Sequence, residues 1–313
     1  MNSLNRKSIV WKLRSRTLEL GQRTLVMGIV NVTPDSFSDG GLYFSPEAAV
    51  IRGLRALDEG ADMLDLGAES TRPGSQAGGA VGSSLSPLVS AEEEQARLLP
   101  VLEGILAARP TAILSVDTYK AATARAALAA GAEIVNDVSG FLWDSAMASV
   151  CAEARCGVVL MHTRGKPEEW SSQPQLAPDA LLASVREGLA ASLAVAAGAG
   201  IQEEALVLDP GYGFGKRFDE NFSLLARQRE LLSLGRPLLV GLSRKSFLGR
   251  TLAPLYGGVD APVDARETAS LAALVAAILH GAVIVRVHAV QPAVEAARIA
   301  DAVLAALNPY QGS

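Results

Sequence analysis

Short apolar runs alternate with longer amphipathic segments along the chain, and the pair repeats eight times. An uninterrupted apolar run predicts a strand buried on both faces, as in a parallel sheet, and the amphipathic segments predict helices packed on that sheet. Eight such units predict one α/β domain, a closed (β/α)8 TIM barrel. An open doubly wound sheet is the alternative, although no Gly-x-Gly-x-x-Gly run opens a helix here. The runs are Leu25–Asn31, Met63–Gly67, Ala112–Asp117, Ile134–Asp137, Gly157–His162, Ala205–Asp209, Pro237–Leu242 and Val283–Val287.

The residues between the runs predict where the helices begin and end. Ser45 before Pro46 is typical of an N-cap with proline at the first helical position, and Ser90 with Glu93 predicts a capping box. Many helices end in a left-handed residue, for which glycine is preferred. Four glycines that stand between a helical segment and a strand are predicted to fill this position: Gly131, Gly157, Gly200 and Gly281.

Ahead of the barrel, Ile9–Leu20 alternates weakly around a turn at Arg14–Arg16, which predicts a short N-terminal hairpin. The chain is therefore divided into an N-terminal extension with this hairpin (1–24), the barrel (25–307) and a C-terminal tail (308–313).

Composition narrows the class of protein. Hydrophobic residues make up 49% of the chain and the mean hydropathy is +0.25, yet no uninterrupted apolar run reaches membrane-spanning length. The net charge of −5 disfavours a nucleic-acid-binding surface. The only cysteines, Cys151 and Cys156, do not suggest a disulfide framework, and the first residues lack the apolar segment of a secretory leader. We therefore expect a soluble cytoplasmic protein that binds neither nucleic acid nor membrane.

Polar side chains stand at the carboxyl ends of the predicted strands. In a parallel barrel these ends meet at one mouth, where active sites lie. Taken singly, each such residue is explained as well by a turn or a helix cap. The repetition at strand after strand favours a common site. The residues are Asn31, Asp117, Asn136, Asp137, His162, Asp209, Lys245, Arg286 and His288.

Several strand ends carry recognisable motifs. They include Asn-Val-Thr-Pro-Asp-Ser-Phe-Ser-Asp-Gly-Gly (31–41), Asp-Leu-Gly-Ala-Glu-Ser-Thr-Arg-Pro-Gly (65–74) and Ser-Val-Asp-Thr (115–118). Further along stand Asp-Pro-Gly-Tyr-Gly-Phe-Gly-Lys (209–216) and Ser-Arg-Lys-Ser (243–246). In this order the motifs resemble the signatures of the dihydropteroate synthases. These folate-pathway transferases join 6-hydroxymethyl-7,8-dihydropterin diphosphate to p-aminobenzoate and release 7,8-dihydropteroate and pyrophosphate.

The resemblance implies a pterin-binding site. Asp209 would accept two hydrogen bonds from the aminopyrimidinone edge of the pterin, since a carboxylate matches a fork of two donors. Asn136 would offer a donor and an acceptor to the same ring, and Lys245 would be another pterin ligand. From the residues alone, a turn residue is the alternative for Asn136, and a Schiff-base amine is the alternative for Lys245 at a barrel mouth.

Asp117 is implied to face the pterin carbon that loses the diphosphate. Its charge would stabilise the positive charge developing there. By position alone, Asp117 is equally a cap for the helix beginning near Lys120.

Two loops are implied to close over the substrates and exclude water. Their assigned residues are Asp35, Phe37, Thr71, Arg72 and Pro73. Asp35 would organise the closed loops and Arg72 would offer its guanidinium to phosphate oxygens. Phe37, Pro73 and Phe214 would form the walls around the benzoate ring, and Ser243 would lie near its carboxylate.

Arg286 and His288 stand two apart on the last strand and so point to the same side, which predicts an anion site for the pyrophosphate. The resemblance adds Mg²⁺, held by Asn31 and the diphosphate. It also implies a homodimer, with Glu267–Leu279 suited to the interface, and sulfonamide-type inhibitors as ligands.

Three features depart from the family pattern: an insertion within Gln76–Val89, Thr163 where Met is common, and Ala289 where Asp is common.

Two alternative functions would also use a pterin-binding site. A related pterin-binding methyl-transfer enzyme would lack the 31–41 and 243–246 motifs. A non-catalytic paralogue that holds pterin diphosphate is the second alternative, because a fold alone does not establish catalysis.

Overall fold

The computed structural model describes residues 6, 8–32, 45–68 and 89–307, which form a hairpin and a closed barrel. The hairpin pairs β1 (Ile9–Lys12) with β2 (Thr17–Leu20). The barrel strands run in parallel in the order β10-β3-β4-β5-β6-β7-β8-β9, and β10 pairs with β3 to close it. The predicted barrel and hairpin are confirmed. The barrel strands are β3 (Leu25–Asn31), β4 (Met63–Gly67), β5 (Leu114–Asp117), β6 (Ile134–Asp137), β7 (Gly157–Met161), β8 (Leu206–Asp209), β9 (Leu238–Val240) and β10 (Ala282–Val287).

Helices surround the barrel, and two of them begin at the predicted serines. Ser45 Oγ accepts from the Ala48 amide at 3.4 Å, and Ser90 Oγ accepts from the Glu93 amide at 3.1 Å. These caps satisfy amides that the first helical turn leaves unpaired. The helices are α1 (Pro46–Asp58), α2 (Ala91–Ala108), α3 (Ala121–Ala129), α4 (Met147–Ala154), α5 (Pro178–Gly198), α6 (Phe218–Arg227), α7 (Ser246–Thr251), α8 (Glu267–Leu279) and α9 (Val290–Ala306).

One predicted helix end is wrong. Gly131, Gly200 and Gly281 have positive φ as expected, but Gly157 is the first residue of β7. The left-handed residue after α4 is Arg155, with φ 52° and ψ 38°. The chain therefore turns two residues earlier than the glycine indicated, and it does so on an arginine.

Apolar side chains fill the barrel interior at the amino ends of its strands. A cluster of inward-facing residues closes its amino end, and the hairpin packs underneath with Trp11 and Leu20 fully buried. Trp11 Nε1 donates to the Ala205 carbonyl at 2.9 Å, which fixes the hairpin to the start of β8. The inward-facing residues of this cluster are Met27, Met63, Ile113, Ile134, Val159, Val207, Leu239 and Ile284. Because side chains alternate along a strand, the next inward position on these strands lies one layer nearer the mouth.

One helix of the described chain, α5, is long and apolar enough to cross a membrane. It serves here as a barrel helix, since it buries Leu181, Val185 and Leu189 and packs against β7 and α6.

Candidate active site

A layer of polar side chains lies directly above the apolar plug. Asp65 on β4 occupies the centre of this layer and is fully buried. Its Oδ2 accepts from Asn136 Nδ2 at 2.9 Å and from Arg286 Nε at 2.5 Å. One carboxylate oxygen therefore joins side chains from β4, β6 and β10.

Arg286 extends this network to Asp117. Its Nη2 donates to Asp117 Oδ2 at 2.5 Å, so the guanidinium lies between two carboxylates. Burial lowers the pKa of Arg286, but Asp65 and Asp117 outweigh it and raise that pKa above its ordinary value. Arg286 is therefore a permanent cation. Burial raises the pKa of Asp117 to about 7, against the opposing effect of Arg286.

The contacts of Asp117 decide between its two sequence interpretations. The residue preceding α3, Lys120, provides no side-chain cap, and the Ala121 amide donates instead to Asp144 Oδ2 at 2.8 Å. Asp117 points into the barrel toward Arg286. Its carboxylate therefore lies in the polar layer of the barrel mouth and does not cap α3.

Asp209 ends β8 beside a glycine-rich loop. Its Oδ1 accepts from the Gly211 amide at 2.7 Å. Gly211 has φ 68°, and a Cβ there would overlap the His162 carbonyl, so the close approach of the two loops requires glycine. Burial raises the pKa of Asp209 to about 6. No described residue donates to Oδ2, which leaves an acceptor for a ligand.

Lys216 stabilises the same loop by binding its backbone. Its Nζ donates to the carbonyls of Gly211 at 2.7 Å, His162 at 3.2 Å and Phe214 at 3.3 Å. Burial lowers the pKa of Lys216 to about 7, although Asp209 opposes the change. Lys216 therefore fixes the positions of Asp209 and Phe214 through the backbone.

Lys245 and Phe214 lie together on the other side of Asp209. Lys245 Nζ is 4.0 Å from the centroid of the Phe214 ring, within the range of a cation–π contact. The Lys245 charge lowers the pKa of both Asp209 and Asp117, in each case against the larger effect of burial. The structure thus brings together Lys245, Asp117 and Asp209 as the sequence predicted.

Three further predicted residues lie at neighbouring strand ends. Ser243 Oγ is 3.0 Å from His288 Nδ1 and accepts from the His288 amide at 3.3 Å. His288 is therefore oriented by Ser243. Asn31 ends β3 and is half-buried, and its carboxamide has no hydrogen-bond partner among the described residues.

Two residues predicted to converge on the mouth do not reach it. Asp137 follows the inward-facing Asn136, so it points outward, and its carboxylate accepts from the amides of Ser139 and Phe141, both at 2.8 Å. His162 lies against Gly188 of α5, and its Nδ1 is buried without a partner. Both are structural residues of the layer between barrel and helices.

The predictions for the two closing loops fall outside the described residues. This holds for Asp35, Phe37, Thr71, Arg72 and Pro73, and for the insertion within Gln76–Val89 apart from Val89 itself.

Sequence reasoning missed the roles of Asp65 and Lys216, although both stand in quoted motifs. A carboxylate within an apolar strand was the available signal for Asp65, because burying an ionised group requires a partner. For Lys216 the signal was a lysine directly after a run of three alternating glycines.

The fold and this polar mouth define a pterin-binding (β/α)8 barrel enzyme, and the sequence profile of the pterin binding enzyme family matches residues 27–288. Dihydropteroate synthase of Mycobacterium leprae is 45% identical over 279 residues, covering 88% of this chain and 92% of that protein. The chain belongs to the dihydropteroate synthase family, transferases of folate synthesis. Xanthomonas albilineans dihydropteroate synthase, solved with 4-aminobenzoic acid, has a TM-score of 0.81 and 42% identity, covering 96% of this chain and 99% of that one. The Yersinia pestis enzyme, solved as a sulfonamide drug complex, has a TM-score of 0.82 and 38% identity, covering 95% and 100%.

The predicted enzyme class and function are thereby confirmed over both alternatives. The similarity extends over most of the chain and is to proteins named for the synthase activity.

Proposed function

We propose that the described mouth residues carry out the condensation of dihydropterin diphosphate with p-aminobenzoate. The observation that supports this most is the buried row Asp65–Arg286–Asp117, which places a fixed cation between two carboxylates beside Asn136 and Asp209. Such a row provides both signs of charge at fixed positions without solvent reorganisation.

The pterin ring binds between Asp209 and Asn136 in this proposal. The Asp209 carboxylate accepts from the ring's amide and amine donors, with Oδ1 keeping its bond from the Gly211 amide, and Asn136, oriented by Asp65, completes the polar edge. Lys245 contributes its ammonium to the pterin, and the Phe214 ring that it contacts forms one wall of the adjoining benzoate site.

The reaction follows a dissociative course. The bond from the pterin methylene carbon to oxygen breaks, and its electron pair leaves with the diphosphate. Asp117 stabilises the resulting cation while the amine of p-aminobenzoate forms the new carbon–nitrogen bond and then loses a proton to solvent. An arylamine is nucleophilic while neutral, so the mechanism needs no strong base.

Asp65 acts as a positioning residue. It touches neither substrate, but its Oδ2 sets the orientation of both Arg286 and Asn136. Arg286 uses Nε and Nη2 in the row, and no described residue accepts from Nη1, which leaves that group for the diphosphate. His288, held by Ser243, supplies a second group for the same anion.

Asn31 fits the proposed Mg²⁺ site. The described residues hold no group of three His, Cys, Asp or Glu side chains suited to a metal, so a cage made of protein ligands alone is not found there. Magnesium commonly takes one or two protein oxygens together with substrate phosphates and water, and the Asn31 carboxamide, which has no partner among the described residues, suits that mode. When bound, the ion neutralises charge on the leaving diphosphate.

We further propose a cytoplasmic homodimer that binds sulfonamide-type inhibitors at the benzoate site. Four apolar residues between α7 and α8 are exposed: Leu255, Tyr256, Val259 and Val263. Exposed apolar residues of this kind, next in sequence to α8, support an interface between subunits. If light scattering gave the purified protein the molar mass of a single chain, that result would contradict the dimer.

Pyrophosphate release measured with the pterin diphosphate, Mg²⁺ and p-aminobenzoate tests the proposed roles. We expect release to depend on the arylamine and to yield dihydropteroate. Arg286→Ala should weaken the diphosphate substrate far more than the unphosphorylated pterin, because only the former meets Nη1. Equal losses for both ligands would remove Arg286 from the anion site.

A further inference from the structure

The amino end of the barrel, opposite the active-site mouth, carries a cationic groove. The groove has a volume of about 660 Å³ and runs between the hairpin turn, the end of α4 and the segment joining α5 to β8. Four cations line it, Lys12, Arg14, Arg16 and Arg155, and none of its described lining residues is acidic. The whole chain has 33 acidic residues against 28 basic ones, so this is a local concentration of positive charge.

Most of that charge is not compensated. Arg16 pairs with the buried Glu133 at 3.3 Å, and Lys12 Nζ donates to the neutral Gln202 carboxamide at 3.0 Å. Arg14 and Arg155 form no ion pair with any described residue. The ends of α4 and α5 carry about half a negative charge each, which leaves about two positive charges facing the groove.

The backbone at Arg155 is an independent observation. Arg155 occupies the left-handed region at the end of α4, a position that disfavours side chains and that glycine fills without cost. Residues held in such conformations cluster at functional sites, including ligand clamps. An arginine is present here although a glycine would stabilise the turn.

We propose that this groove binds a phosphate-bearing small molecule of nucleotide size, with Arg14 and Arg155 as its phosphate ligands. The planar guanidinium group matches phosphate oxygens in a bidentate manner. The groove volume lies within the range of small-molecule sites, about 300–1,000 Å³. Leu13, Ile201 and Ala205 provide an apolar floor for the organic part of the ligand. The site is independent of the condensation at the mouth.

Calorimetric titration with ADP tests the proposal, with inorganic triphosphate as a second probe. We expect Arg14→Ala and Arg155→Gly each to weaken ADP binding by about tenfold or more, the value of a charge-assisted hydrogen bond. Arg155→Gly should melt at an unchanged or higher temperature, because it relieves the left-handed arginine, so its loss of binding is not a loss of fold. Arg55→Ala, which removes an exposed arginine paired with Glu59 at the end of α1 and outside the groove, is the matched control.

The mouth also attracts phosphates, and Arg286→Ala separates the two sites. ADP binding that is kept in Arg286→Ala and lost in Arg155→Gly supports the groove. The reverse pattern, or no binding to the wild-type protein, overturns the proposal. Triphosphate binding as tight as that of ADP would show that the apolar floor contributes nothing to affinity, which overturns the nucleotide-sized ligand. A glutamate hexapeptide that binds more tightly than ADP would show that the ligand is an acidic peptide segment, which also overturns the proposal.

Discussion

Asp65 offers the sharpest test of the proposed site, because one of its oxygens orients two functional side chains. Oδ2 of the fully buried Asp65 accepts from Asn136 at 2.9 Å and from Arg286 at 2.5 Å. Asp65→Ala removes this acceptor and leaves a buried amide and part of a guanidinium unpaired. Asp65→Asn can keep an oxygen at the same place and remove only the negative charge.

The expected cost of Asp65→Ala follows from these contacts. Removing one partner of a buried ion pair costs about 3–5 kcal/mol. Arg286 retains Asp117 at 2.5 Å and has a 20% exposed side chain, which places the loss near the lower end, at about 3 kcal/mol. An unfolding entropy of about 2.1 cal/mol/K per residue amounts to roughly 0.7 kcal/mol/K for 313 residues. The melting temperature should therefore fall by about 4–5 °C.

Two measurements complete the assay. One is pterin binding, measured by calorimetry, and the other is the rate of pyrophosphate release. Asp65→Ala should lose pterin affinity because Asn136 loses its anchor, whereas Asp65→Asn should bind the pterin and turn over about tenfold more slowly, a change of about 1.4 kcal/mol. Asp58→Ala is the control: it breaks an exposed pair with Arg109 and should cost no more than about 1 kcal/mol. Asp65→Ala would refute this reasoning if it melted like Asp58→Ala or bound the pterin like the wild-type protein.

Four further predictions concern the loop beyond β8 and the metal. Pterin affinity should be constant above about pH 7 and decrease as pH falls through about 6, because protonation of the buried Asp209 removes an acceptor; an unchanged pH profile in Asp209→Asn would contradict this. In Lys216→Met the same midpoint should move to higher pH, since the cation that lowers the pKa of Asp209 is gone; a midpoint that stays in place would exclude the electrostatic role of Lys216. Gly211→Ala should destabilise the protein by well over ~1 kcal/mol in denaturant unfolding, whereas Gly257→Ala, with a similar φ but open space around it, should cost about that much; equal losses would show that the crowding at Gly211 is relieved elsewhere. Asn31→Ala should raise the Mg²⁺ concentration needed for half-maximal pyrophosphate release, and an unaltered requirement would place the ion elsewhere.

The sequence by itself determined the barrel fold and the end of the barrel at which the polar side chains lie. Apolar runs of strand length, separated by capped helices, define β3, β4 and β6 to the residue, because buried parallel strands are apolar over most of their length. The polar residues that end these runs predict the mouth, and Asp117, Asn136 and Asp209 lie there.

Tertiary structure decided which of two adjacent polar residues faces inward. Asn136 and Asp137 are indistinguishable in an uninterrupted apolar run, since both faces of the strand are buried, and only the register with β5 and β7 turns Asn136 toward Asp65. His162 was misplaced for the same reason.

Tertiary structure also created the central ion pair. Arg286 and Asp65 are 221 residues apart, and barrel closure between β10 and β3 brings them to 2.5 Å. No local pattern encodes such a distance, because it depends on the strand order and stagger of the whole barrel. At the end of α4 the left-handed residue is Arg155 and not the predicted Gly157. The tertiary structure there overrides the intrinsic preference of glycine for a left-handed turn.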